Sequence, residues 1–407
     1  MAGICAIASF DGSLIPRTDI EAMMASATHR GRDGSAVWRG PGIAIGHLAS
    51  RITPEDELDR QPLVRDHLVL SADARIDNRD ELVPLLVRLG FLATELDETP
   101  SSEIILAAYR CWGDDAPAKL IGDFAFVIWD GRRRRLLAAR DPMGMRPLVH
   151  CLGAAHRVVL GSEVSQLLAV PGVPRTIDER GIAATIAGPY LSADATLFQG
   201  IGLVAPGHAL AVDGRTVRTR RYWQPDPARL EDHDAAGCVA EFRESYARAV
   251  SDRIRGVEPV GISLSGGTDS GSIASTVGWL IRTGRATASL RAYSWGFATL
   301  PDSDERSTSD LIVEHYGFGG VTVEGDDAWP LAGLPAHGPD LDDAWFWPYQ
   351  ALIDRTIGRA AEDGVRVLLG GDRGDELLGD WVFDEVGLAR AGRVRAAIRD
   401  LRVAGWS

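Results

Sequence analysis

The chain has 407 residues, of which 45% are hydrophobic and 25% are charged, and its formal net charge at pH 7 is -14. This length exceeds what one hydrophobic core usually supports, so two domains are expected, and the negative charge argues against a nucleic-acid partner, whose phosphates need a basic surface. No segment approaches the roughly 18 consecutive apolar residues of a membrane span, and no basic region followed by an apolar one opens the chain, so we expect a cytoplasmic protein without a membrane partner.

Short strands separated by turns characterise the first two hundred residues. Alternating and β-branched residues predict strands in GHLASRI, HLVLSADARI, DFAFVIWD and RRLLAARD. Asp130-Gly131 lies between the last two of these and predicts a two-residue hairpin turn. The arginines that follow, Arg132 to Arg135, either bind phosphate or nucleic acid or form the solvated end of the hairpin, and the solvated end is favoured.

Cysteine usage indicates ordinary thiols. Cys5, Cys111, Cys151 and Cys238 are far apart and form no C-x-x-C pair, which argues against a disulfide framework or a structural zinc site. Lys119 is the only lysine, so almost all of the positive charge is carried by arginine.

The composition changes between residues 222 and 237, which are polar, contain prolines and show no periodicity, as in a linker. We therefore predict a first domain at residues 1–223, a linker at 224–237 and a second domain at 238–407. Apolar residues at helical spacing then predict a helix packed on a sheet; they are Val239, Phe242, Tyr246, Val250 and Ile254.

Strands and helices alternate in the second domain. The predicted strands are residues 259–264, 290–297, 321–324 and 365–369, and the predicted helices between them include 271–283 and 304–316. Such alternation predicts an α/β fold with a mostly parallel sheet covered by helices on both faces.

The stretch VGISLSGGTDSGSIAST begins at Val260 and passes from a strand that ends at Leu264 directly into a helix, through Ser265 to Ser270. Glycines let the backbone approach an anion closely, and the exposed amides at a helix N-terminus supply positive potential without a charged side chain. The loop lacks the lysine of the G-x-x-x-x-G-K-[ST] motif, so it is not a mononucleotide-kinase loop. It is either a phosphate-binding loop, which we favour, or a plain helix N-cap.

A second loop, LLGGDRGDELLGD at residues 368–380, follows another predicted strand. Ligands in open parallel sheets bind outside the carboxyl ends of the strands, so Asp269 and Asp375 are expected to converge. Two carboxylates and phosphate oxygens suit Mg²⁺. The alternative is that Asp372, Asp375 and Glu376 form a solvated acidic turn, but the first loop favours a metal role for Asp375.

Taken together, the motifs resemble the asparagine synthetase B family across essentially the whole chain. They occur in the family's order: HRGRD, QPL, GDFAFVIWD, ARDPMGMRPL, GSEVSQLLAVPGV, PGH, RRYW, SGGTDS, YSWGF and GGDRGDE. SGGTDS also resembles the pyrophosphate loop of ATP pyrophosphatases, which split ATP to activate an acyl group. The resemblance implies an N-terminal-nucleophile-hydrolase-like β-sandwich domain, followed by a doubly wound parallel-sheet ATP-pyrophosphatase domain.

In that family the first domain hydrolyses glutamine with an N-terminal cysteine that supplies both thiolate and α-amine. If Met1 is removed, the matching position here is Ala2. The family's oxyanion-hole Asn-Gly pair matches Asp73-Ala74, where a carboxylate repels a developing oxyanion. The residue that recognises the glutamine amino group matches Ser101, while the carboxylate-binding arginine is retained as Arg51. The resemblance therefore implies a domain without glutaminase activity.

Cys5 is the alternative nucleophile. It would lie inside a predicted strand and would not carry the free amine, so a small packed side chain is the favoured interpretation.

Without glutaminase activity, the attacking nitrogen is expected to belong to the substrate. Two branches that this chain resembles, the β-lactam synthetases and the cyclases of lasso peptides, adenylate a carboxylate and close a ring onto an amine of the same molecule. The position of Asp372 is a tyrosine in the first branch and a glutamate in asparagine synthetases, whereas GGDRGDELL resembles the lasso-cyclase form apart from Arg373. Arg373 either contacts a phosphate or peptide carboxylate or caps the turn.

The sequence thus predicts an ATP- and Mg²⁺-dependent amide ligase, a lasso-peptide cyclase, with ATP, a peptide substrate and a precursor-peptide protease as partners. The expected ATP-binding residues are Leu264, Ser265, Gly266, Gly267, Asp269, Ser270, Trp295, Gly370 and Gly371. The expected metal ligands are Asp269 and Asp375, and the catalytic candidates are Asp372, Asp375 and Glu376. The competing interpretations are an asparagine synthetase, a β-lactam synthetase and an inactive binding or scaffold protein, against which the intact SGGTDS argues.

Two further stretches bear on the substrate and on completeness. DDAWFWPYQ, residues 342–350, either offers a surface for a peptide or is a buried helix start anchored by Trp345 and Trp347, which we favour.

The family's second domain continues well past the second acidic loop, and the β-lactam branch has a catalytic lysine there, a role that Lys119 of the other domain cannot fill. We therefore expect a fragment, or a partner that supplies the rest, with an arginine-rich amphipathic helix at residues 388–403 cut short.

Overall fold

The computed structural model describes residues 1–93, 98–154, 157–187, 194–214, 216–226, 234–329, 349–372, 374, 390, 392–395 and 398. The chain forms two compact units, one that contains Met1–Glu241 and one that begins at Phe242. Among these residues, no helix combines the length and the apolar character that a membrane crossing requires.

The first unit contains twelve strands within the described residues. In chain order they are β1 (Gly3–Ser9), β2 (Ser35–Gly40), β3 (Ile43–Leu48), β4 (Leu63–Arg65), β5 (Leu68–Ile76), β6 (Gly122–Asp130), β7 (Arg135–Arg140), β8 (Val149–Ala154), β9 (Arg157–Gly161), β10 (Ile201–Leu203), β11 (His208–Asp213) and β12 (Thr216–Arg221). Its helices are α1 (Arg17–Ser26), α2 (Arg79–Arg88), α3 (Ser101–Trp112), α4 (Val164–Leu168) and α5 (Glu179–Ala187).

These strands form two antiparallel six-stranded sheets. The first sheet has the order β10-β8-β9-β1-β3-β2, and the second has the order β12-β11-β7-β6-β5-β4. The predicted strands correspond to β3, β5, β6 and β7, although β3 ends at Leu48, so the last residues of GHLASRI lie outside it.

Four layers build the first unit. One apolar cluster, which includes Ile4, Ile45 and Val127, fills the space between the two sheets. A second cluster packs α1 and α4 on the outer face of the first sheet, and a third packs α2 and α3 on the outer face of the second. Strands such as β5 and β6 are therefore buried on both faces, which explains their long apolar runs. The predicted sandwich is confirmed.

The turn between β6 and β7 differs from the prediction. Asp130 pairs with Arg135, so four residues connect the strands. The Asp130 carboxylate accepts hydrogen bonds from the backbone N–H groups of Arg132 and Arg133, both at 3.0 Å. Asp130 was expected inside a two-residue loop, but it is the last residue of β6 and its side chain holds the turn that follows. The prediction of a two-residue turn is therefore wrong. Arg132 and Arg133 are exposed, as expected for a solvated hairpin end, whereas Arg135 pairs with Asp114; the solvated end stays a prediction.

The second unit is built around a parallel sheet. Its elements are α6 (Ala235–Ile254), β13 (Val260–Ser263), α7 (Thr268–Arg282), β14 (Leu290–Gly296), α8 (Arg306–Tyr316), β15 (Gly319–Glu324), α9 (Gln350–Glu362) and β16 (Leu368–Leu369). The strand order is β15-β14-β13-β16, and every pair is parallel. The domain and linker boundaries stay predictions, although α6 already begins at Ala235, so that its first three residues lie within the predicted linker.

Helices cover both faces of this sheet. α6, α7 and α8 pack on the face that carries Ile262 and Ala292, while α9 packs on the opposite face through Ala360 against Tyr293 and Val323. The predicted doubly wound parallel sheet is confirmed.

The apolar stripe of α6 packs only in its second half. Val250 and Ile254 are buried, as expected for a helix on a sheet. Val239 and Phe242 are 60% and 48% exposed, so the prediction is wrong for the first half. Phe242 stacks on Tyr246 of the same helix, which keeps the stripe continuous without burying it.

Candidate functional site

The order in which successive strands are added to the sheet reverses between β13 and β16, although all strands are parallel. From β13 the order runs outward through β14 to β15, and the chain then returns to place β16 on the other side of β13. Such a reversal leaves a crevice at the carboxyl ends of the two strands, which is where ligands bind in open α/β sheets. A cavity of about 490 Å³ lies there. The predicted residues that line it are Leu264, Ser265, Gly267, Asp269, Ser270, Trp295, Gly370, Gly371 and Asp372.

Hydroxyl contacts shape the loop after β13. The backbone N–H of Ser265 donates to the hydroxyl of Ser270 at 3.1 Å, and the two hydroxyls are 2.9 Å apart. The N–H of Gly267 donates to the Ser265 hydroxyl at 3.2 Å, and Gly267 is the N-cap of α7. The first amides of α7 therefore lie at the cavity with their partial positive charge, which favours an anion.

The loops after β13 and β16 touch each other. A Cβ added at Gly371 would lie 2.7 Å from the Ser270 nitrogen and 3.0 Å from the Asp269 Cβ. A Cβ added at Gly374 would overlap the Asp269 carboxylate. At Gly371 the nearest atom belongs to the backbone, so a side chain there would require the loop to shift, whereas at Gly374 the Asp269 side chain could move instead. The backbone of the second loop therefore lies directly against Asp269.

Asp375, Glu376 and Arg373 lie outside the described residues, and so do Trp345, Trp347 and most of residues 388–403. A cation shared by Asp269 and Asp375 therefore stays a prediction. In the part of the chain that is described, no three His, Cys, Asp or Glu side chains cluster closely enough to hold a metal. The cavity nevertheless suits Mg²⁺, which proteins usually hold with one or two carboxylates while substrate phosphates supply other ligands. The Asp269 carboxylate beside the anion-binding amides is such a donor set.

Three charged residues at the start of α8 were missed by the sequence reasoning. Glu305 and Arg306 line the cavity, and Arg306 is the only cationic side chain among the described residues that do so. The guanidinium Nε of Arg306 lies 2.9 Å from both carboxylate oxygens of Asp304, and these bonds hold the pKa of Asp304 below its usual range. Because 304–316 was a predicted helix that follows a predicted strand, its charged N-terminus could have been recognised as a third contributor to the strand-end crevice.

Glu305 reaches across to the phosphate loop. Its carboxylate accepts a hydrogen bond from the backbone N–H of Gly266 at 2.9 Å. Gly266 does not itself line the cavity. Its predicted contact with a phosphate would require this amide to exchange the Glu305 carboxylate for a phosphate oxygen.

Trp295 is anchored through its ring. The indole N–H donates to the hydroxyl of Thr356 in α9 at 2.9 Å. The side chain is thereby held against α9, at the end of β14 that borders the cavity.

The first unit contains a cavity of about 430 Å³. Four of the five residues that match the glutaminase site line it, namely Ala2, Arg51, Asp73 and Ala74. Ser101 does not line it. Instead, its buried hydroxyl accepts a hydrogen bond from the Ile76 backbone N–H at 3.2 Å, at the start of α3.

Asp73 is almost completely buried at this cavity, with 4% of its surface exposed. One carboxylate oxygen lies 3.7 Å from the Arg146 guanidinium, and the other, Oδ2, has no hydrogen-bond partner. Arg51 donates through its backbone N–H to Asp33 and through its guanidinium to Glu57.

Cys5 is confirmed as a packed side chain of β1. It is fully buried, and burial raises the pKa of its thiol to about 12. The thiolate that a nucleophile requires is therefore negligible at neutral pH. All four cysteines are free thiols that are buried or half-buried, as predicted.

The HRGRD motif has a structural role beside the cavity. His29 Nε2 lies 2.7 Å from the Glu163 carboxylate, which also pairs with the Arg30 guanidinium. Burial would raise the pKa of Glu163, but the adjacent Arg30 outweighs it and the pKa is lowered. Arg30 in turn donates to the Ala2 carbonyl at 3.2 Å and so fixes the start of β1.

Two protein families match successive parts of the chain. The profile described as a glutamine amidotransferase domain matches residues 1–223, and the profile described as asparagine synthase matches residues 241–391. Asparagine synthetase [glutamine-hydrolyzing] 3 of Bacillus subtilis (strain 168) is 29% identical over 72% of this chain and 48% of its own length.

Two fungal proteins are also similar. Amidase chry2 of Gibberella zeae is 24% identical over 89% of this chain and 55% of its own length, and Amidase chyE of Penicillium rubens is 31% identical over 68% and 42%. The chain spans about half the length of the curated relatives it matches. Because the glutamine amidotransferase profile covers more than half of the chain and an asparagine synthase domain follows it, the protein belongs to the asparagine synthetase family.

Proposed function

We propose that the second unit binds ATP with Mg²⁺ and joins a carboxylate to an amine, as an ATP-dependent amide ligase. The observation that carries the proposal is the contact between the two strand-end loops, with Gly371 and Gly374 against Asp269 and Ser270. That contact places amides, hydroxyls and a carboxylate around one cavity at the strand reversal.

Each described residue has a role that follows from its chemistry. The amides at the start of α7 and the Ser265 and Ser270 hydroxyls donate hydrogen bonds to the pyrophosphate part of ATP. Asp269, together with Asp375, holds Mg²⁺, which when bound neutralises phosphate charge. Arg306 contributes the cationic side chain, and Asp372 orients the acyl or amine group.

The proposed reaction has two steps. A carboxylate oxygen of the substrate attacks the α-phosphorus of ATP, the α–β phosphoanhydride bond breaks, and pyrophosphate leaves. The amine nitrogen then attacks the acyl carbon, the acyl–oxygen bond to AMP breaks, and the nitrogen loses one proton. Holding amine and acyl group in one cavity replaces a bimolecular encounter with an intramolecular one.

The amine belongs to the substrate in this proposal. Three observations on the described residues support this: Ala2 stands at the position that matches the family's nucleophile, burial raises the pKa of the Cys5 thiol, and a buried carboxylate, Asp73, stands at the position that matches the oxyanion hole. We therefore propose a glutamine-independent reaction, and specifically the macrolactam ring closure of a lasso precursor peptide, with a precursor-peptide protease as partner. The names of the relatives favour a second candidate, asparagine synthetase activity on aspartate.

The test is pyrophosphate release from ATP. The chain is incubated with ATP, Mg²⁺ and a short precursor peptide encoded beside its gene, and in a parallel assay with aspartate and ammonia. Pyrophosphate release that depends on the peptide, with a product one water lighter than that peptide, supports ring closure. Release in the assay with aspartate and ammonia, but not in the assay with the peptide, supports the second candidate.

Asp269→Asn tests the site in the same assay. Because a bound metal contributes several kcal/mol of charge stabilisation, we expect at least about 100-fold slower release. Glu314→Gln, which neutralises an exposed acid on α8, is the matched control and should be unchanged. Unchanged release in Asp269→Asn removes the site assignment.

A further inference from the structure

We propose that Glu305 is an internal competitor for phosphate in the second unit. In the protein without nucleotide, its carboxylate occupies the backbone amide of Gly266, and it has to leave before a phosphate oxygen can bind there. This inference rests on the proposed function, because it concerns the regulation of the site at which ATP is proposed to bind.

The hydrogen bond to the loop is the first reason. The Glu305 carboxylate accepts the backbone N–H of Gly266 at 2.9 Å. Glu305 lines the cavity, and so do Ser265 and Gly267 on either side of Gly266. A residue has only one backbone N–H to donate, and a carboxylate oxygen and a phosphate oxygen are both anionic acceptors for it. The side chain and the ligand therefore compete for the same donor.

The packing at Gly266 keeps this carboxylate close to the loop. A Cβ added at Gly266 would lie 2.9 Å from the Cβ of Glu305 and 3.2 Å from its carbonyl oxygen. The same carbonyl accepts the backbone N–H of Thr308 at 3.0 Å, in the first turn of α8. The backbone of Glu305 is thus fixed against the phosphate loop, and only its side chain has to rotate to make the Gly266 amide available.

Departure of the carboxylate from Gly266 costs little else. Glu305 is exposed, so water solvates its charge once the hydrogen bond is broken. The adjacent cation has its own acid, because the Nε of Arg306 lies 2.9 Å from both carboxylate oxygens of Asp304. The exchange therefore trades one charge-assisted hydrogen bond for another, without burial of an unpaired charge.

The competition has a consequence for the proposed reaction. Only the fraction of molecules with a free Gly266 amide binds phosphate at full strength, so the apparent affinity for an anion in the loop falls by that fraction. ATP has contacts outside the loop, whereas pyrophosphate, the product that the proposed reaction leaves there, has fewer. Return of the Glu305 carboxylate to Gly266 therefore favours the release of pyrophosphate.

The experiment measures the binding of pyrophosphate to the 407-residue chain by isothermal titration calorimetry, at fixed Mg²⁺ concentration and ionic strength. Glu305→Ala frees the Gly266 amide, so we expect pyrophosphate to bind roughly 10- to 100-fold more tightly, as for a hydrogen bond to a charged group. Glu305→Gln removes the charge but keeps an oxygen that accepts the same N–H, so we expect a smaller gain. Equal gains in the two variants would assign the effect to charge repulsion alone and overturn the proposal.

Glu314→Ala is the matched control, because it removes an exposed acid near the other end of α8, and it should bind pyrophosphate as the wild type does. Far-ultraviolet circular dichroism checks the folding of every variant. ATP is titrated in parallel. If the wild type binds ATP but folded Glu305→Ala shows no gain for pyrophosphate, the internal competitor is contradicted and the ATP site is not. If no protein binds either ligand, the anion site itself is contradicted, and this inference with it.

Discussion

The two units carry cavities of similar size, about 430 and 490 Å³, that are built from different parts of the chain. In the second unit, the anion-binding groups are backbone amides that the strand–loop–helix conformation exposes. In the first unit, paired strands such as β5 form part of the cavity lining and loop residues such as Arg51 and Gln61 form another part, and the charged groups there are carried mainly by side chains such as Asp73. Binding groups that are side chains can be changed by single substitutions without loss of the sandwich fold. Binding groups that are backbone amides are kept as long as the fold is kept.

The largest effect is expected from a substitution that disturbs the contact between the two loops of the second unit. Gly371→Ala places a Cβ 2.7 Å from the Ser270 nitrogen, a backbone atom that must then move. Because overpacking costs about 1–3 kcal/mol, we expect ATP binding to weaken up to about 100-fold. The measurement is calorimetric titration with ATP and Mg²⁺.

Gly358→Ala is the control for this substitution, because no heavy atom lies within 4 Å of a Cβ added there in α9. Equal affinity of the two alanine variants would show that the loop contact does not matter for ATP.

A smaller effect is expected from the cationic side chain of the same cavity. Arg306→Met removes a guanidinium that can bind phosphate, so we expect about tenfold weaker ATP binding and a shallower salt dependence. Arg285→Met, which removes an exposed arginine paired with Glu244, should leave both quantities unchanged. ATP affinity of the Arg306 variant at the wild-type level across a salt series would exclude a phosphate contact.

Glu305 is a carboxylate at a proposed anion site, whereas Asp73 is a carboxylate at the cavity of the first unit. Glu305→Gln keeps an oxygen for the Gly266 N–H and removes the negative charge. We expect ATP to bind about fivefold more tightly, since like charges within a Debye length repel. Weaker ATP binding in Glu305→Gln would instead show that the Glu305 carboxylate favours ATP binding.

The smallest effect concerns the pH dependence of the first unit. Burial raises the pKa of Asp56 to about 6, so the folded protein binds a proton that the unfolded chain, with a pKa near 4, releases. Stability from this group is therefore present at pH 4 and is lost as the pH rises through about 6.

Asp56→Asn removes this dependence. We expect the wild type to lose about 1 kcal/mol relative to the variant between pH 4.5 and pH 7. Thermal unfolding of both proteins at the two pH values gives the difference, and parallel behaviour would contradict the raised pKa.

Local pattern predicted much of the fold and part of the site. The loop after β13 could be placed because SGGTDS combines a strand end, glycines and a helix start within a few residues. The parallel sheet followed from alternation alone, without knowledge of which strands are neighbours.

What local pattern could not give depends on distant contacts. The hydrogen bond from Gly266 to Glu305 joins residues 39 apart, and the unpartnered oxygen of Asp73 depends on what surrounds it in the sandwich. Periodicity predicted α6 but not the exposure of Phe242, because a helical stripe does not specify how far along it the sheet extends. The turn after Asp130 was missed because a side-chain–backbone bond overrode the dipeptide preference.

The pairing of Ile262 with Leu369 has a consequence for biosynthesis. The phosphate loop emerges from the ribosome together with β13, but the strand that completes its surroundings follows more than one hundred residues later. The proposed nucleotide site is therefore complete only after β16 has been translated, and the closing of that long segment carries an entropic cost. A chain interrupted before β16 would leave β13 as an unpaired sheet edge that is open to aggregation.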